Sequence, residues 1–131
     1  MEKLAYQPNQ FILTIVGYSL ISSLGYIIRT KDMRKINPAM DINECTEGQN
    51  YQILLPLYYY HKRGYINEPL GYYVIRDDSH SHIMRSREKE RKRYMRLLVM
   101  LEEVLLTLNI PLREIEHYKK ISTFQKCLEE I

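Results

Sequence analysis

Residues 11–28 (FILTIVGYSLISSLGYII) form an uncharged run of 18 residues, and this run limits the fold more than any other segment. So much apolar surface has to leave water, either in a membrane or in a protein core. Eighteen residues is near the lower limit for a helical membrane span. Gly17, Gly25, three serines, a threonine and two tyrosines dilute its hydrophobicity. The run is therefore read as buried strand, turn and strand, with a membrane span as the lesser reading.

The remaining composition fits that choice. The 131 residues are 45% hydrophobic and 27% charged, which suits one globular domain with its own core. A net charge of +3 is too small to argue for nucleic acid, and no nucleic-acid partner is expected. Cys45 and Cys127 lack zinc-site spacing, and a reducing, cytoplasmic location is the simpler expectation. No cleavable leader pattern follows Met1.

Along the chain, residues 24–29 (LGYIIR) and 71–76 (GYYVIR) are rich in strand formers and read as strands. Thr30 can cap a short helix through Ile36, which Asn37-Pro38 ends. A helix is expected from Gln49 or Asn50 to about Lys62, kinked by Pro56 and closed by Gly64. Residues 85–93 hold six basic and two acidic residues. They read as the solvated start of a helix with Glu88 and Lys92 as an i, i+4 pair, the lesser reading being a patch for an anionic surface, either membrane lipid or nucleic acid. Tyr94, Leu97, Leu98, Leu101, Val104, Leu105 and Leu108 then recur at helical spacing. Asn109-Ile110-Pro111 is a stop and restart, and a weaker stripe follows through Leu112, Ile115, Leu128 and Ile131. The expected end is an antiparallel helix hairpin.

The order of four segments between Ser22 and His82 carries a resemblance. Residues 22–35 (SSLGYIIRTKDMRK) give a small-residue loop, a strand, an arginine and a short helix. Residues 48–54 (GQNYQIL), 63–74 (RGYINEPLGYYV) and 76–82 (RDDSHSH) follow in step. Together they resemble the acceptor-side, carboxy-terminal part of a family 2 glycosyltransferase, in a bacterial subgroup with Gly-Gln-Asn in place of the usual acidic pair. The match covers about 60 of the 131 residues.

The resemblance implies an α/β fold: a partial glycosyltransferase A-type fold, with a small mixed sheet and packed helices, over residues 1–83. The helix hairpin, residues 84–131, would be an extension. It implies transfer of a sugar from a nucleotide-sugar donor to a glycan or lipid-linked acceptor. The nucleotide-binding half and the paired-aspartate motif are not in the sequence. The chain alone is therefore expected to be inactive, and nucleotide sugar to bind only with a missing amino-terminal half. A divalent metal, Mg or Mn, is expected for the complete enzyme. The competing reading is a non-catalytic interaction module derived from that fold.

Candidate site residues follow from the same comparison. Gln49 and Asn50 stand where the general base is usual; an amide has no useful basicity, so Asn50 can only orient a hydroxyl. Glu47 is the nearest carboxylate, and its plainer reading is a solvated loop residue. Asn50 is equally suited to a helix cap. Tyr58 and Tyr72 are candidates for stacking on a sugar, with core packing as the alternative. Of Tyr58, Tyr59 and Tyr60, at most one or two are expected to face a cleft. Arg76, His80 and His82 are placed near a leaving diphosphate, or else on a polar surface loop. No metal ligands are assigned. A homo-oligomer is expected, paired through residues 11–28 and through the stripe of residues 94–108. Location at the inner face of the membrane is the variant of the cytoplasmic reading.

Overall fold

The computed structural model describes residues 9–18, 25–44, 48–72, 74 and 86–131. These residues form six helices: α1 (Gln10–Ile15), α2 (Thr30–Ile36), α3 (Gln49–Tyr60), α4 (Arg87–Thr107), α5 (Leu112–Ile121) and α6 (Thr123–Glu129). Among the described residues there is no strand. The expected α/β fold with a mixed sheet is therefore corrected to an all-helical one. The physical reason is pairing. A strand is stable only when a neighbour takes up its backbone hydrogen bonds. Arg29 does adopt extended backbone, at φ −71° and ψ 119°, but the segment from Tyr26 has no ladder partner among the described residues. Gly71 and Tyr72 likewise belong to no strand.

The uncharged run divides at Gly17. Its first part is α1, not a strand. Gly17 takes the left-handed conformation, φ 83°, just past the helix. Its N–H donates to the Thr14 carbonyl at 3.3 Å, and the Tyr18 N–H donates to the Leu13 carbonyl at 2.9 Å. This is a Schellman stop, which needs a residue tolerant of positive φ. Phe11 and Ile15 are buried, so this part of the run is not the open edge expected to pair with a second copy. Gly17 also lies against α6: a Cβ there would stand 2.8 Å from Thr123 Oγ1. No helix of the described residues is long and apolar enough to cross a membrane.

Helix α4 is the spine. Ser86 caps it, its Oγ accepting from the Lys89 N–H at 3.4 Å. Glu88 and Glu90 in the first turn offset the basic run against the helix dipole. The expected Glu88–Lys92 pair is present at 2.6 Å. Leu97, Met100, Leu101, Val104, Leu105 and Leu108 make a buried stripe that packs with Phe11, Ile15, Leu55, Ile110, Ile115 and Phe124. A second, smaller cluster joins Met33 of α2 to Leu54 and Leu57 of α3.

Three local expectations shift. Thr30 is the first helical residue and Arg29 the cap of α2. Helix α3 ends at Tyr60 with an extended His61, so Gly64 plays no capping part. The terminal hairpin becomes three helices, because Ser122 interrupts the second arm. The Ser122 hydroxyl donates to the Lys119 carbonyl at 2.8 Å and accepts from the Gln125 N–H at 3.2 Å. The break resets the helical register and buries Phe124, which lies off the expected stripe.

Candidate functional site

Helix α3 positions both candidate regions, one at each end. Its start is set by Gly48, which caps the helix at φ 82° and whose carbonyl accepts from the Tyr51 N–H at 2.9 Å. This backbone places Gln49 and Asn50 in the first turn; Asn50 is not the cap. The Tyr26 hydroxyl donates to Asn50 Oδ1 at 3.0 Å. That bond joins the extended segment before α2 to the start of α3, two stretches 24 residues apart in sequence. With Oδ1 engaged, the Asn50 amide is oriented so that Nδ2 is its donor end.

The other end of α3 borders a cleft of about 350 Å³. Tyr58, Tyr59 and Tyr60 all line it. The expectation that at most two could do so fails because the cleft wraps the last turn and the chain leaving it, through His61, Lys62 and Arg63. The opposite wall is Gln10, Phe11 and Ile12 of α1, with Tyr118 of α5. The rings interlock edge to face: Phe11 meets Tyr59 at 5.3 Å and Tyr118 at 5.6 Å between centroids, and Tyr59 meets Tyr60 at 5.1 Å. Such pairs hold one another's orientation as well as burying area. The Arg63 guanidinium lies 6.0 Å from the centre of the Tyr58 ring.

Burial pushes the Tyr58 hydroxyl above its ordinary range, against the opposing pull of Arg63. Burial first, then the charge of Glu114, does the same for Tyr118. Neutral phenols both donate and accept, and their rings offer apolar faces. The cleft is thus furnished to bind a molecule that is apolar on its faces and hydroxylated at its edges, with cationic groups beside it.

Of the expected site residues that the structure describes, those at the two ends of α3 are not brought together. Asn50 and Tyr58 sit at opposite ends of a 12-residue helix, about 12 Å apart along its axis. Tyr72 is 98% exposed. Glu47, Arg76, His80 and His82 lie outside the described residues. Among the described residues no three His, Cys, Asp or Glu side chains gather where they could hold a metal ion. Sequence reasoning missed Tyr26, Phe11 and Tyr118. The run Tyr58, Tyr59 and Tyr60 marked the α3 end of the cleft, but nothing in the spacing singled out Tyr118.

No family model matches the chain, and no curated protein and no solved structure is significantly similar to it.

Proposed function

We propose that this chain is an acceptor-binding part of a family 2 glycosyltransferase, serving transfer of a sugar from a nucleotide-sugar donor to a glycan or lipid-linked acceptor. The observation that carries this is the 3.0 Å bond from Tyr26 to Asn50. It links two of the segments whose order resembles the family, and fixes the amide that stands where the general base is usual. In such a reaction the acceptor hydroxyl attacks the anomeric carbon in line, and the nucleotide diphosphate leaves. Asn50 Nδ2 would orient the hydroxyl oxygen without taking its proton, so the base must come from elsewhere. The donor nucleotide is assigned to a part outside the described residues. The proposed setting is cytoplasmic, at the inner membrane face where the acceptor is lipid-linked.

The all-helical architecture favours a second reading, a non-catalytic interaction module. Saturation-transfer NMR with a panel of soluble oligosaccharides separates the two. The expected result is glycan binding that weakens in Asn50→Ala. Uridine and guanosine diphosphate sugars should not be turned over by this chain alone. Absence of binding across the panel would leave the interaction module as the better account, and robust turnover by the isolated chain would overturn both.

A further inference from the structure

We infer that the outer face of α4 pairs with the same face of a second copy of this chain, the two helices running antiparallel. The buried stripe accounts for one side of α4 only. On the opposite side Met95, Val99 and Leu106 are 53%, 56% and 47% exposed. At 100° per residue these three fall within a narrow band; Met95 and Val99 are one turn apart, and Leu106 lies two turns further on, past Glu102 and Glu103. Met95 and Val99 form the apolar centre of this face, with Glu88 on the same line at one end and Leu106 at the other.

The charges beside this line choose the occupant. Arg91 and Lys92 flank its first half, one on each side, and Glu102 and Glu103 flank its second half in the same way. One flank thus carries Arg91 and Glu102, and the other carries Lys92 and Glu103. In an antiparallel two-fold pair, each flank meets the same flank of the other copy, reversed. A two-fold axis crossing midway between Met95 and Val99 sets Met95 opposite Val99 of the second copy. The same register sets Arg91 opposite Glu102 and Lys92 opposite Glu103. The midpoints of the three pairings agree to within about one residue, and the same axis sets Leu106 opposite Glu88 at the two ends of the seam. A parallel two-fold pair would instead bring opposite flanks together, setting Arg91 beside Lys92 and Glu102 beside Glu103 of the other copy, which is repulsive. Within the chain, Glu102 already binds Lys119 at 2.7 Å and Glu103 accepts from Asn43 Nδ2 at 3.0 Å. Those contacts hold the carboxylates in place, and each carboxylate has further acceptor sites for a cation across the seam.

A single helix about 30 Å long offers less than the roughly 800 Å² per partner of a standard interface. The pair is therefore reversible and concentration dependent. It does not depend on the glycosyltransferase reading.

Sedimentation velocity from about 1 μM to about 1 mM is the test. The wild-type chain should move from the 15.8 kDa species to twice that mass as concentration rises. Val99→Glu puts two carboxylates near the axis and should hold the chain at 15.8 kDa, with helicity by circular dichroism unchanged. Lys92→Glu alone and Glu103→Lys alone should each weaken the dimer roughly tenfold, since each makes two repulsive flank pairs. Mixing those two variants restores both pairs and should give a heterodimer. A monomer at all concentrations would overturn the proposal. So would a dimer that survives Val99→Glu, or a mixture no tighter than its parts.

Discussion

Replacing Gly48 with alanine perturbs the junction on which the start of α3 depends, and its cost can be worked from the structure. The residue sits at φ 82°, where an L side chain costs about 1–2 kcal/mol. The new Cβ would lie 2.7 Å from Met100 Cε and 3.1 Å from Leu97 Cδ2. The Met100 methyl ends a flexible side chain, and turning it aside in a packed core costs about 0.5–1.5 kcal/mol. Alanine loses less backbone freedom on folding, which returns about 0.4–1 kcal/mol. The net loss is about 2 kcal/mol, or a fall in Tm of roughly 8 °C for a domain of this size. Gly71 is the control: nothing lies within 4 Å of its would-be Cβ. Gly71→Ala should stay within about 0.5 kcal/mol of wild type. Urea unfolding followed by far-ultraviolet circular dichroism measures both. A Gly48→Ala loss under about 0.5 kcal/mol, or an equal loss at Gly71, would refute the reasoning.

Tyr26→Phe removes the donor to Asn50 and should cost about 0.5–1.5 kcal/mol in the same assay, with no effect meaning that the bond does not join the two segments. Leu101→Ala empties a fully buried position in the stripe of α4 and should cost about 2–5 kcal/mol. Ser122→Ala removes the cap of α6 and should cost about 0.5–2 kcal/mol, read as lost helicity and a lower urea midpoint. Burial raises the Tyr51 phenol above its ordinary 10.0, only partly opposed by Arg93. The folded state then holds this proton longer than the unfolded state, so its contribution is full below about pH 10 and is lost as pH rises further. The urea midpoint should fall as pH rises above about 10, less steeply in Tyr51→Phe.

The helices that the sequence made legible are those whose signals are local. The stripe from Leu97 to Leu108 and the turn at Asn109 read directly, because a period of 3.6 and a residue tolerant of φ 56° are properties of the segment alone. Helix α2 read correctly from the Asn37-Pro38 stop. The sheet failed for the opposite reason. Residues 24–29 and 71–76 carry strand-forming side chains, but a strand is decided by a partner elsewhere in the chain, which no local pattern reveals. Gly17 and Ser122 were legible in principle, as a helix stop and a helix cap, and were passed over as parts of longer patterns. Of the site, Tyr58 and the amide pair were visible as residue types. Their placement at opposite ends of one helix followed only from where α3 begins and ends.

The tight approach of Gly17 to Thr123 has a consequence for the order in which the molecule assembles. Two stretches about a hundred residues apart must meet with no room for even a methyl group between them. The earlier stretch leaves the ribosome well before α6 exists, at a rate of about 5–20 residues per second. For that interval Phe11 and Ile15 have only part of their final surroundings. Closure of this long loop needs α5 and α6 in place, and its entropy is recovered only when they dock. A contact made after the main barrier is expected here, so substitutions at Gly17 or Thr123 should act mainly on the rate of unfolding; an equal effect on the rate of folding would place the contact before it.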